Sequence, residues 1–344
     1  MTNPIRFADN DSRPQVWNMW KRVFGDGDDY MRLYFSEKYR NENTLLYFEG
    51  DKAVASLQML PYRFTFCGTE IPILYLSGVC TLPEARRKGY MERLLLRSFD
   101  VAADREVPLM LLVPQEAWLL DFYGKYGFAQ TFDAGTELLQ PSLKEIIESS
   151  PDNLPAAYQR FDACYRGCDM TVQKSYDDFR VMVREAALSG FPPKKNLIGM
   201  ARMIDLRRLL SLFADAYPDR AFSVEVQDNL RKQNSGRFTV SNGKLFWERR
   251  KMVVDRGGDG NNIFSAPVGL QRKARFPSDY HRSENNRISS EAVVVENTFV
   301  SPIAIHADIR QLTQLLMGYH TSEKAEPYRT LFPEKRAQMH RMLE

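Results

Sequence analysis

The sequence predicts an α/β protein with a mixed central sheet, followed by a smaller α+β region, on three observations. Residues 74–81 are a short apolar run suited to a buried strand, and Met91, Leu94, Leu95, Phe99 and Ala102 follow at helical spacing, so a strand leads into an amphipathic helix. Residues 108–114, Pro-Leu-Met-Leu-Leu-Val-Pro, are a second apolar run between prolines, as expected of a parallel strand covered on both faces. Ahead of both, residues 44–49 and 53–62 flank Gly50-Asp51, a hairpin signal that adds antiparallel pairs to the sheet.

A chain of 344 residues can bury a sizeable core and is long enough for two or three domains. Lys plus Arg at 47 against Asp plus Glu at 44 leaves a net charge of +3, too balanced for a protein that binds nucleic acid or a membrane surface with its whole face. The first ten residues lack a basic start and apolar core, and no run of about 18 apolar residues occurs, so a cytoplasmic location is expected. Cys67, Cys80, Cys164 and Cys168 read as free thiols, and the close pair Cys164 and Cys168 has no neighbouring histidine to make a metal site, so no metal is expected. A homo-oligomer is left open.

Taken in order, residues 5–7 alternate as a short strand, Ser12 can cap a helix bearing Val16, Met19, Trp20 and Phe24, and residues 30–38 read as a second short helix. Between these helices lies Gly25-Asp26-Gly27-Asp28-Asp29. It reads either as a solvated turn with capping aspartates or as a substrate-capture loop, in which Asp26, Asp28 and Asp29 attract a cationic amine. The strands follow, with residues 63–66 continuing to Gly68 and the central strand starting at Ile71.

The turn after that strand is Arg86-Arg87-Lys88-Gly89-Tyr90-Met91. A glycine at a helix entry lets the backbone approach a ligand, and the free N–H groups of the first turn then point at it. Three consecutive cations and the positive end of the helix dipole suit an anion such as pyrophosphate. Taken alone, the stretch also fits an ordinary strand-to-helix turn with a solvated basic patch.

The spacing of an arginine, two residues, a glycine, one residue and a helix after an apolar strand resembles the acetyl-CoA-binding signature of the GNAT superfamily of N-acetyltransferases. Met91 stands where the usual signature has a small residue, a bulkier variant found in the Eis-like (enhanced intracellular survival) branch, which the chain resembles elsewhere. Residues 121–128, Asp-Phe-Tyr-Gly-Lys-Tyr-Gly-Phe, resemble the superfamily's last conserved block. The resemblance implies a GNAT fold using acetyl-CoA as co-substrate, held by Val79, Cys80, Thr81, Arg86, Arg87, Lys88, Gly89, Tyr90 and Met91. It implies that Tyr123 protonates the leaving thiolate, although on its own Tyr123 reads as a core aromatic beside Phe122.

Residues 140–196 hold three helix-like pieces, near 143–149, 156–165 and 175–188, and read as a helical connector or a truncated second GNAT-like region. From residue 197 a helix over 203–214, an alternating strand at 222–228 and a hairpin around Asn242-Gly243 follow, then a strand at 292–295 and a helix at 309–317 ending before Gly318. This order resembles the sterol carrier protein-like domain that ends Eis-like acetyltransferases. The expected division is 1–139 GNAT domain, 140–196 connector and 197–344 sterol carrier protein-like domain. The loop 256–262 is glycine-rich but lacks a strand-to-helix context and reads as a flexible loop.

The chemistry implied is acetyl transfer to a primary amine of a small molecule or peptide by direct attack, needing a base for the amine, a polarised carbonyl and an acid for the thiol. The four histidines, His281, His306, His320 and His340, all lie beyond the catalytic region. The base is therefore expected from the 26–29 loop through water or, as the Eis-like resemblance implies, from the terminal carboxylate at Glu344. Two alternatives stay open, an inactive GNAT-fold binding protein and a transferase using another acyl-CoA.

Overall fold

The computed structural model describes residues 3–136, 141–192, 195–249, 301–339 and 342. The chain opens with β1 (Ile5–Phe7), α1 (Arg13–Phe24) and α2 (Asp28–Glu37), then β2 (Thr44–Glu49), β3 (Lys52–Phe66) and β4 (Thr69–Thr81) as an antiparallel meander. α3 (Tyr90–Asp104) leads to β5 (Leu109–Leu112), α4 (Leu119–Gly124), β6 (Ala129–Phe132) and β7 (Gly135–Thr136). A helical stretch, α5 (Leu143–Glu148), α6 (Leu154–Tyr165) and α7 (Tyr176–Leu188), encloses β8 (Thr171–Gln173). The remainder comprises β9 (Lys195–Asn196), β10 (Gly199–Met203), α8 (Leu206–Ala216), β11 (Phe222–Val226), β12 (Gly236–Ser241), β13 (Lys244–Glu248), β14 (Ile303–His306), α9 (Ile309–Leu316) and α10 (Tyr328–Leu331).

The main sheet is mixed, as the sequence predicts. Its order is β1-β2-β3-β4-β5-β10-β6, with β8 also on β3. β4 and β5 are its parallel pair, and every residue from Ala53 to Leu60 is buried, so helices cover both faces of β3. Pro61 is tolerated inside this 15-residue strand because it faces a gap. β2 pairs with β3 up to Gln58 and β8 resumes pairing at Arg63, so a residue without an N–H leaves no ladder bond unmade.

β10 enters this sheet from beyond residue 197, antiparallel to both β5 and β6. The expected third region thus supplies a strand to the first sheet. Its fully buried pattern, Gly-Met-Ala-Arg-Met, has no alternation to distinguish it from the start of the following helix. One hydrophobic core runs from Val16 and Trp20 through β3 and β4 to Leu206, Phe213 and Phe222, while α5, α6 and α7 share a small cluster around Phe161 and Phe179. A second sheet, β13-β12-β11-β14, has α8 packed on β12 and β13. The expected strand at 292–295, the 256–262 loop, His281, His340 and Glu344 lie outside the described residues. Among the described residues no helix is long and apolar enough to cross a membrane.

Candidate active site

The site starts where the parallel pair separates. β4 and β5 pair from Ile73 with Leu109 to Leu76 with Leu112, after which β4 continues to Thr81 without β5, paired only to β3. At the same point β4 bulges against β3. Ser77 pairs with Gln58 and Cys80 with Ser56, so Gly78 and Val79 together oppose Leu57. Gly78 takes φ +56°, and a Cβ there would lie 2.5 Å from the Trp20 ring and 2.7 Å from the Gln58 amide nitrogen, so no side chain fits. Tyr34 anchors the bulge from below, its hydroxyl donating to Gln58 Oε1 at 3.0 Å and sharing a 3.1 Å hydrogen bond with Ser77.

A cavity of about 160 Å³ occupies the separation, walled by Trp20, Phe24 and Asp26 on one side, Gly78 and Val79 on β4, and Leu112, Leu119 and Tyr123 opposite. Tyr123 is 5% exposed at the end of α4 and packs edge-on against Phe122 and Phe128. Burial, reinforced by Cys80 nearby, holds its hydroxyl protonated well above the usual tyrosine range. Cys80, also buried and 3.3 Å from Ser56 Oγ, has its thiol pushed up to about 11 by burial and so stays neutral.

The acidic loop divides. Asp26 lines the cavity, its carboxylate accepting the Trp20 indole N–H at 2.6 Å. Asp28 and Asp29 begin α2 and face water, paired with Lys21 at 2.7 Å and Arg32 at 3.0 Å, and neither is on the cavity wall. Periodicity could not separate these three aspartates. What could have singled out Asp26 is its place six residues after Trp20, just past the end of α1.

The basic turn opens α3. Gly89 caps the helix at φ +75°, Arg87 shares the left-handed region at φ +64°, and residues 86–89 are exposed. A Cβ on Gly89 would meet only Glu92 Oε2 at 4.0 Å, so the space before the helix is open. Arg86 donates to the Thr81 carbonyl, and Lys88 pairs with Glu49 at 3.0 Å. Glu49 also takes the Tyr90 hydroxyl, and these two donors lower its pKa. The Tyr90 ring stacks on Tyr47 at 4.1 Å. Of the residues expected to hold the cofactor, Val79 lies on the cavity wall and 86–91 at the helix entry. Cys80 and Thr81 are still paired to β3. Among the described residues no three of His, Cys, Asp or Glu gather as a metal site.

Residues 4–131 match the family model described as Acetyltransferase (GNAT) domain, which covers the sheet as far as β6, the cavity and the basic turn. No curated protein matches the chain. Among solved structures, a conserved Enterococcus faecalis protein of unknown function, described as a probable N-acyltransferase, aligns over 97% of both chains at 13% identity and a TM-score of 0.60. A GCN5-related N-acetyltransferase from Anabaena variabilis aligns over 97% of this chain and 98% of its own at 14% identity and a TM-score of 0.54. Eis1 from Mycobacterium abscessus aligns over 72% of this chain and 86% of its own at 15% identity and a TM-score of 0.48. At these identities the first two show a shared fold over nearly the whole length, including the regions beyond the GNAT domain.

Sequence reasoning singles out the turn at Gly89 and the block around Tyr123 as candidates, and in the structure the first lies at the exposed entry of α3 and the second on the cavity wall. That reasoning missed Trp20, Phe24 and the Tyr34–Gln58–Ser77 cluster, whose residues come from three separate elements. The apolar stripe of α1 named Trp20 as core, and the structure shows it to be both core and cavity wall.

Proposed function

We propose that the protein is an acetyl-CoA-dependent N-acetyltransferase that acetylates a primary amine of a small molecule or peptide by direct attack, with Tyr123 as general acid. One arrangement carries the reading: a cavity bearing a protonated tyrosine and a single carboxylate opens where β4 leaves β5, on the strand that runs to the open Gly89 helix entry.

The residues fit a nucleotide-linked thioester. The first-turn N–H groups of α3 and the exposed cations Arg86, Arg87 and Lys88 suit the pyrophosphate, and the edge of β4 that β5 leaves uncovered beyond Leu76 offers peptide groups to the acyl arm. Asp26 attracts the ammonium form of the acceptor. Once a base has taken the proton, the amine nitrogen attacks the thioester carbonyl, and the tetrahedral intermediate collapses by breaking the carbon–sulfur bond. Tyr123, kept protonated by burial until this step, passes its phenolic proton to the departing thiolate, and the new amide nitrogen releases its surplus proton to solvent, from which the tyrosinate is reprotonated. For the base we retain two groups, Asp26 through a water and the terminal carboxylate of Glu344.

The finer assignments are proposals of the same standing: an Eis-like arrangement of 1–139, 140–196 and 197–344, with the last region sterol carrier protein-like. The four-stranded sheet with α8 packed on it supports the last, while β10 ties its first residues to the GNAT sheet.

Calorimetric titration with acetyl-CoA, followed by a thiol-release screen of amines against several acyl-CoAs, tests the reading. Saturable binding with amine-dependent thiol release from acetyl-CoA is expected. Folded protein that binds no acyl-CoA would make it a binding module, and release only from a longer acyl-CoA would make it a different transferase.

A further inference from the structure

Arg202 on β10 is fully buried, and it touches the elements that carry both halves of the proposed active site. Its Nη2 forks onto Asp228 at 2.8 and 2.7 Å, and Nη1 donates to the Met203 carbonyl at 3.0 Å. Asp228 is saturated from the other side, accepting from Asn234 Nδ2 at 3.0 Å and from the backbone of Leu230 and Arg231 at 3.2 and 3.1 Å. Arg231, the other charge near this pair, reaches Asp100 on α3 at 3.5 Å.

The guanidinium then reaches Tyr123 by two routes. Through rings, its Cζ lies 5.5 Å from the Phe99 centroid, Phe99 is 6.0 Å from Phe128, and Phe128 is 5.9 Å from Tyr123. Through backbone, Gly127 takes φ +80° against Arg202. A Cβ there would sit 2.8 Å from Nε, and the same turn returns the Phe128 and Tyr126 N–H groups to the Tyr123 carbonyl at 3.3 and 2.9 Å. Phe99 belongs to α3, so one buried charge is wedged between the cofactor helix and the turn that ends the helix of the acid.

We propose that Arg202, held by Asp228, is a positioning residue that fixes Tyr123 relative to α3, so that the part of the chain beyond residue 197 completes the catalytic geometry of the GNAT domain. A buried ion pair is weak evidence for stability, since apolar residues of similar volume often replace one without loss, so its presence here calls for another role. Its directional fork is what an apolar pair lacks. The inference rests on the reading of Tyr123 as general acid.

The test uses the full chain and four proteins: wild type, Tyr123→Phe, the charge-free pair Arg202→Met with Asp228→Leu, and the combination of the last two. Turnover and acetyl-CoA affinity are measured for each. The charge-free pair is expected to lower kcat about tenfold while leaving the acetyl-CoA Kd within about twofold, and to cause no further loss when Tyr123 is already Phe. A further tenfold loss in the Tyr123→Phe background would show that the pair acts elsewhere and overturn the proposal. A charge-free pair with wild-type kcat, alongside an impaired Tyr123→Phe, would also overturn it while leaving the acid reading intact. Wild-type turnover of Tyr123→Phe alone would instead remove the acid reading. If the charge-free pair fails to fold, Arg202→Lys, which keeps the charge but loses the planar guanidinium and its Nη1 bond to the Met203 carbonyl, is read against the same outcomes.

Discussion

The indole N–H of Trp20 donates to the Asp26 carboxylate at 2.6 Å, fixing the acid on the wall of the cavity where β4 and β5 part. Asp28 and Asp29 spend their charge on Lys21 and Arg32 in water. Loss of a hydrogen bond to a charged group costs about 1.5–3 kcal/mol, roughly tenfold or more in affinity. Asp26→Asn should therefore raise the acceptor amine KM about tenfold and leave acetyl-CoA affinity unchanged, and Trp20→Phe should shift it in the same direction. Asp28→Asn should change neither constant by more than about twofold. A strong Asp28→Asn effect with a silent Asp26→Asn in steady-state kinetics would move acceptor capture to the outer face of the loop.

Gly89 holds φ +75° with open space before it, so a side chain there acts through backbone strain and charge rather than by filling a void. Strain of this kind costs on the order of 1–3 kcal/mol, and a carboxylate at a helix N-terminus repels an anionic ligand. Gly89→Glu should weaken acetyl-CoA binding more than about tenfold by calorimetry, while the protein stays folded with a thermal midpoint lower by only a few degrees. Unaltered affinity in the folded variant would place the pyrophosphate elsewhere.

The parts of the site legible in the sequence are those whose chemistry is local. The Gly89 entry needs a left-handed residue, cations and a helix within six positions, and Tyr123 is flagged by the Gly127-Phe128 that follows it. Arg202 was not legible, because its partner Asp228 is 26 residues on and its contact Gly127 lies 75 residues back, and nothing along the chain links them. β10 was missed for the same reason: a strand buried on both faces inside a borrowed sheet has no period of two to read. Neither was the division among Asp26, Asp28 and Asp29, since only the fold decides which carboxylate meets an indole and which meets water.

Cys80 sets an alkaline limit on stability. An ordinary thiol ionises near pH 8.5 to 9, whereas burial raises Cys80 to about 11, so the folded state binds the proton more tightly than the unfolded one. Its contribution is fully present below about pH 9 and is lost as pH rises toward about 11. Chemical unfolding measured across that range should show falling stability, and Cys80→Ala should flatten the fall. A stability that rises over the same window would contradict the buried thiol.

The pH profile separates Tyr123 from an exposed acid. A tyrosine with its ordinary pKa near 10 would begin to lose its proton above pH 9, so kcat would decline there. With burial holding Tyr123 protonated well above that range, kcat should show no decline from this group up to about pH 9.5.

The most direct measurement is turnover of Tyr123→Phe by thiol release, with acetyl-CoA affinity determined on the same protein. Tyr123 as the proton donor predicts kcat lower by about 10² to 10⁴ with an unchanged Kd for acetyl-CoA. Wild-type kcat in that variant would contradict it, because the thiolate would then be taking its proton from water.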